Sequence, residues 1–321
     1  MTNREKFIKA LKREPITGHV PHFELVFFLT MEAFGKVHPM QRHYGQWDQM
    51  SKTEQNLHIN EMANLYIDTA KKYHHSAIFV LPNPNDLKNT IILLERIREI
   101  SGDEYFILLH GDPTFSIPDG SSMVDFSMKM MEEPEVLLEE AKRRNQEMVE
   151  YAEAFSKRPG LLDGFGLCSD YCFNTNPFMS PEMFGVFVTP YLKEIIAEYR
   201  KLGFYSIKHT DGNIMPILDQ IAECEPDALH SIDPQAGVSL AEVKKLYGHK
   251  MCMIGNVNCG LLQTGTDEEV IQDVNRSLAD GMPGYGYIFS TSNCAYTGLA
   301  LRRYEMMHDI WYENGIYDSE V

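Results

Sequence analysis

Short apolar runs recur along the chain, each ending in small polar or charged residues and each separated from the next by a stretch with helical spacing. The runs fall at residues 20–25, 76–81, 105–109, 164–168, 204–208, 228–232, 250–254 and 285–289. Runs of this length, bounded by turn residues, read as buried strands. Helical spacing follows at about 51–73, 86–100, 134–156, 180–203, 214–224, 239–248, 266–279 and 299–314. Thr2 with Glu5 and Thr266 with Glu269 form capping-box patterns, and Ser180-Pro181-Glu182 is a strong helix start. Pro190 is expected to kink its helix. Residues 26–50 and 114–127 have no clean period, and the first of these carries Phe27, Phe28, Phe34, Tyr44 and Trp47.

Eight strands, each followed by a helix, predict a parallel sheet closed into a (β/α)8 TIM barrel, preceded by an N-terminal helical extension. No linker or low-complexity tract interrupts the rhythm, so residues 1–321 read as one domain. In such barrels the C-terminal strand ends converge on one mouth, where the chemistry sits. Here those ends supply Glu24, Asn83, His110 with Asp112, Asp170 with Tyr171, His209 with Asp211, His230 with Asp233, Asn256 with Cys259, and Asn293 with Cys294.

The net charge of −17 argues against a general nucleic-acid binder and against attraction to anionic membranes. No run is long and apolar enough to span a membrane, and residues 1–13 do not resemble an export signal. The expected location is the cytoplasm, where the six cysteines would be free thiols or metal ligands. Cys224 and Cys252 lie in apolar settings and read as packing residues, and Cys168 and Cys172, whose spacing is a weak metal signal, flank a strand end rather than lie on a helix and are also read as packing. His74 and His75 precede a strand and read as surface or capping residues.

Cys259 and Cys294 lie among small polar residues just past buried strands. His209 and Asp211 stand two apart, so a strand points them the same way. Asp233, before Pro234, suits a turn as well as a ligand. Two thiolates with a histidine or carboxylate suit zinc and argue against magnesium or calcium. A metal-free alternative makes Cys294 or Cys259 a nucleophile with His209 or His230 as its base.

With these residues in view, the chain resembles the uroporphyrinogen decarboxylase superfamily along nearly its whole length. The landmarks are the opening helix before Val20-Pro21, Ser169-Asp170, Ser180-Pro181-Glu182-Met183-Phe184, His209-Thr210-Asp211-Gly212, Gly255-Asn256-Val257 and Ser292-Asn293-Cys294. The resemblance implies the same (β/α)8 barrel. True decarboxylases of that superfamily carry an Arg-Gln-Ala-Gly-Arg stretch after the first strand, whereas Glu24-Leu25-Val26-Phe27-Phe28-Leu29 stands here. The other branch, the corrinoid-dependent methyltransferases, holds zinc through His-x-Cys on the fifth strand and a cysteine on the eighth. His209 and Cys294 match two of these positions, and Asp211 occupies the third. Asp233-x25-Cys259-x34-Cys294 resembles the Asp/Cys/Cys zinc pattern of ether-demethylating members.

The resemblance therefore implies a zinc-dependent methyltransferase. Its zinc would be held by Cys259 and Cys294 with His209 or Asp233 as third ligand. The methyl group would move between a small methylated substrate (ether, amine or thiol) and a cobalt corrinoid, a cobalamin, carried by a partner protein. Asp170, Asp211 and Tyr171 are the acid/base candidates, and Glu24, His110, His230 and Asn256 are the candidates for substrate binding. Family members are often homodimers. The rival readings are a decarboxylase or lyase of the same fold and a non-catalytic corrinoid or tetrapyrrole binder.

Overall fold

A computed structural model describes residues 1–317. Seven parallel strands form one sheet: β2 (Ala77–Val80), β3 (Phe106–His110), β4 (Gly164–Leu167), β5 (Tyr205–Thr210), β6 (Ala228–Ser231), β7 (Cys252–Ile254) and β8 (Tyr287–Ile288), paired in chain order. Two residues on each side of the chain form a separate antiparallel pair, β1 (Gly18–His19) with β9 (Ile316–Tyr317). Among the described residues, no helix is long and apolar enough to cross a membrane.

The eighth barrel position belongs to the segment expected as the first strand. It is reduced there to a bridge at His22, which pairs in parallel with both His75 and Phe289. Phe289 N donates to Pro21 O at 2.8 Å, Phe23 N to Phe289 O at 3.0 Å, and Ser76 N to His22 O at 2.6 Å. These bonds close the sheet into a (β/α)8 barrel. Pro21 has no N–H to give, which helps explain why the ladder stays so short.

Alternation divides each strand between two environments. Ala77, Phe79, Phe106, Leu108, Ile207, Ala228, Cys252, Ile254 and Ile288 pack together with Phe23 and Leu25 inside the barrel. The intervening residues, such as Ile78, Ile107, Phe165 and Leu229, pack against the helices. The opening helix Asn3–Leu11 begins with the expected Thr2–Glu5 capping box. Its Phe7, Ala10 and Leu11 join the interior cluster, with Phe7 4.7 Å from the ring of Phe106, so this helix seals the N-terminal end of the barrel.

Several helices match the periodicity closely, among them Lys52–Lys72, Pro134–Ser156 and Asp267–Gly281. Pro190 does more than kink its helix: the stretch divides into Pro181–Phe187 and Thr189–Lys201, with the proline in the first turn of the second. Residues 214–224 split into a 3-10 turn, Met215–Ile217, and a short helix, Leu218–Glu223. The irregular stretch 114–127 ends in a helix the pattern did not suggest, Met123–Glu132. Another such helix, Cys259–Thr264, is capped by the Asn258 side chain.

Candidate metal site

β5 carries the site because its two faces do different work. Ile207 faces the interior, so His209, two residues on, faces the same way at the mouth. The strand then ends and Gly212 turns the chain at φ +80°. A Cβ on Gly212 would come within 2.4 Å of Cys172 O and 2.6 Å of Phe173 O, so the close approach of the two loops requires glycine. Asp211 is thereby held against Asp170 from the end of β4, and Asp211 N donates to Asp170 Oδ1 at 3.0 Å.

Three donors converge at this point. His209 Nε2 lies 3.7 Å from an oxygen of Asp170 and 3.7 Å from an oxygen of Asp211. Ligand atoms of the three side chains all lie within 4.8 Å of one another, and among the described residues no other histidine, cysteine, aspartate or glutamate joins such a group. The spacing is too long for direct hydrogen bonds from the ring. It leaves room for a cation between an imidazole nitrogen and two carboxylates, a donor set that suits zinc and other divalent transition metals.

The electrostatics favour the same occupant. Burial, reinforced by the negative charges of Asp170 and then Asp233, pushes the Asp211 carboxyl up to about 7. Burial also lowers His209 to about 4, so the ring brings no positive charge of its own. The pocket thus gathers acidic groups and a neutral ring, a combination that a bound cation would relieve. Asp211 is further shaped by two donors: Ser231 Oγ reaches its Oδ1 at 2.7 Å, and Asn293 Nδ2 bonds its other oxygen.

The remaining sequence candidates lie at varying distances from this point. Cys294 is half-buried next to Asn293, whose Oδ1 accepts from Cys294 N at 2.6 Å. Burial first, and then the charge of Asp211, push its thiol up to about 12. Cys259 is buried at the start of its short helix, with its Sγ 3.8 Å from Cys294 O. Burial and the charge of Glu24 push that thiol up to about 12 as well. Asp233 has both oxygens on backbone amides, Gln235 N at 2.9 Å and Gly212 N at 3.3 Å, so it caps a turn and braces the glycine after Asp211.

Tyr171 is buried outside the barrel wall, with its hydroxyl 2.6 Å from Thr114 Oγ1. Asn256 is fully buried, donating to Ile232 O at 2.7 Å and accepting from Arg276 at 3.0 Å. Glu24 is buried and bonded to Thr291, whose hydroxyl donates at 2.5 Å. His230 is fully buried behind His209, with the two Nδ1 atoms 2.7 Å apart. His110 instead opens onto a separate cavity of about 560 Å³, shared with Arg42, Asn83 and Tyr151.

The structure also contains a buried ion pair that the strand pattern did not single out. Lys208 faces away from the barrel interior and is fully buried, with Nζ 2.8 Å from Asp112 Oδ2. The same ammonium donates to Ser169 O at 2.9 Å and Leu167 O at 3.2 Å, and Ser169 N donates to Asp112 Oδ2 at 2.8 Å. This clamp grips the residue immediately before Asp170. A lysine in an otherwise apolar strand was the available signal, because a buried ammonium requires a buried partner.

The sequence profile of the family described as uroporphyrinogen decarboxylase (URO-D) matches residues 122–313, more than half of the chain. No curated protein sequence matches. Among solved structures, a methyltransferase from Methanosarcina mazei superposes with a TM-score of 0.74 at 17% identity, covering 98% of this chain and 99% of that one. A putative vitamin-B12 independent methionine synthase from Listeria monocytogenes gives a TM-score of 0.49 at 12% identity over 91% of this chain and 94% of that one. At 17% identity the likeness to the Methanosarcina mazei protein is one of fold. The profile match spans the strand ends that build the candidate site, from Asp170 through Cys294, and with it the chain belongs to the uroporphyrinogen decarboxylase family.

Proposed function

We propose that this protein is a metal-dependent methyltransferase that moves a methyl group between a small methylated substrate and a cobalt corrinoid carried by a partner protein. The observation that carries the reading is the convergence of Asp170, His209 and Asp211 at the barrel mouth. Membership of the uroporphyrinogen decarboxylase family and the whole-length likeness in fold to a methyltransferase support it.

His209, Asp211 and Asp170 would hold the metal, with the Cys294 thiol beside them. A zinc ion bound there supplies Lewis acidity toward the heteroatom that bears the methyl group. The chain's own groups do the rest. Ser231 and Asn293 orient the Asp211 carboxylate. Asp170, whose side chain is 45% exposed, is the most open of the three and faces arriving substrate. In the demethylating direction the methyl group passes to the corrinoid while its bonding electron pair stays on the heteroatom. That heteroatom then takes a proton from solvent, which reaches the site past the half-exposed Asp170.

The test combines metal analysis with a reaction. The purified chain should carry about one zinc per chain, as a single site with three protein ligands and an open position requires, and His209→Ala should lose it. Mixed with a reduced corrinoid protein and a panel of methyl ethers, amines and thioethers, the protein should change the cobalt spectrum with at least one of them. A metal-free protein that turns over a carboxylated substrate would overturn the reading.

A further inference from the structure

The ring of His209 is held from behind, and its partners there decide which nitrogen faces the carboxylates. We propose that His230 is a positioning residue that keeps the Nδ1 of His209 protonated, so that a bare Nε2 lone pair is presented to Asp170 and Asp211. The use of that lone pair rests on the metal reading above. The tautomer itself rests on hydrogen-bond geometry alone.

Thr291 supplies the fixed point. Its carbonyl oxygen can only accept, and His230 Nε2, at 3.2 Å, is the donor that reaches it. No other protein donor bonds that buried oxygen among the described residues. Ser290 points to the same assignment. Its hydroxyl donates toward Glu24 at 3.5 Å, which turns an oxygen lone pair toward His230 Nε2 at 3.3 Å. His230 therefore carries its proton on Nε2, and its Nδ1 must accept.

The two Nδ1 atoms are 2.7 Å apart, a distance that requires one proton between them. His209 is then the donor. His230 is fully buried and His209 nearly so, which disfavours a charged ring on either. A neutral His209 with its proton on Nδ1 has an unprotonated Nε2, and that atom is the one facing the two carboxylates. The opposite tautomer would leave the Thr291 carbonyl without its donor, at the cost of an unsatisfied buried group. It would also aim an N–H at carboxylate oxygens 3.7 Å away, beyond hydrogen-bond reach. Free histidine in water prefers the proton on Nε2, so the barrel selects the less common form. The chain of contacts runs from Glu24 through Ser290 and His230 to His209. It gives two buried residues, Glu24 and His230, a role without contact to substrate.

The test begins with the metal-free wild-type chain, labelled with 15N at histidine and observed by long-range proton–nitrogen correlation at neutral pH. The expected spectrum shows His209 protonated on Nδ1 alone and His230 on Nε2 alone, with peaks assigned through His209→Gln and His230→Asn. A proton on Nε2 of His209 overturns the proposal. Zinc titration calorimetry supplies a second measurement. His230→Leu removes the acceptor and should weaken zinc binding about 10–100-fold, while His230→Asn keeps an oxygen near the Nδ1 position and should stay within about threefold of wild type. If His230→Leu binds zinc as tightly as wild type while His209→Ala does not bind, the positioning role falls and the metal site stands. If His209→Ala binds zinc like wild type, the metal reading falls, and the wild-type spectrum alone decides the tautomer. That spectrum also decides it if His230→Leu does not fold.

Discussion

Asp211 is the residue on which the site turns. It lies between Asp170 and a ring of donors, and burial, with the like charge beside it, resists ionisation. Because its folded value is raised to about 7, the metal-free protein binds this proton more tightly than the unfolded chain does. Stability from this source is complete below the ordinary carboxylate range and is lost as pH rises through about 7. Asp170→Asn removes the neighbouring charge and keeps an oxygen for Asp211 N. We expect the Asp211 value to fall, though not to the ordinary range, since burial is its first cause. Thermal melting in chelator at pH 5 and pH 8 should show a smaller loss between the two for Asp170→Asn than for wild type. In the same reading, wild-type zinc affinity should fall as pH drops below about 7, because the proton then competes for the carboxylate. A flat affinity between pH 6 and 8 would remove Asp211 from the ligand set.

At the scale of the element, β5 shows how one strand serves two purposes. His209 looks into the barrel mouth, while Lys208, one residue earlier, reaches behind the wall to Asp112 and to the backbone of Leu167 and Ser169. The clamp ties the ends of β3, β4 and β5 together and sets the backbone just before Asp170. Both partners are fully buried, so removing one strands the other. Lys208→Met should cost about 3–5 kcal/mol in denaturant unfolding, and adding Asp112→Asn should recover much of that loss. A single mutant within about 0.5 kcal/mol of wild type would mean that the pair is not a structural clamp.

At the scale of the molecule, the barrel depends on a closure made by very few hydrogen bonds. The segment around His22 joins β2 to β8, and the C-terminal helix Leu301–Asn314 packs over it. Trp311 stacks on Phe289 with ring centroids 6.2 Å apart, and its Nε1 donates to Val20 O at 3.2 Å. Gly315 O accepts from Val20 N at 2.8 Å, and β1 pairs with β9 just beyond. Trp311→Ala should destabilise the protein by about 3–5 kcal/mol. Hydrogen exchange should then accelerate first at residues 20–25 and at 289, ahead of the central strands β3–β5. Uniform acceleration across the sheet would show that closure and core unfold as one unit.

Much of this arrangement is legible in one dimension. Apolar runs separated by helical periods predict an α/β barrel, because buried parallel strands need apolar residues on both faces. His209 and Asp211, two apart at a strand end, announce a shared orientation. The grouping of donors is another matter. Asp170 comes from a different strand, and its meeting with His209 depends on the neighbouring order of β4 and β5 and on a turn that only Gly212 permits. Tyr171 and Asn256 also sit at strand ends, yet neither joins the donors: Tyr171, one position out of phase with Asp170, bonds Thr114 outside the wall, and Asn256 is taken up by Ile232 O and Arg276. The role of His230 is likewise invisible along the chain. Its two nitrogens are assigned by a carbonyl and a ring brought to it from two other strand ends. Local pattern determined the elements and the kinds of chemistry they carry. The packing of strands around a closed barrel decided which of those groups meet, since contacts between residues far apart in the chain exist only once the sheet has closed.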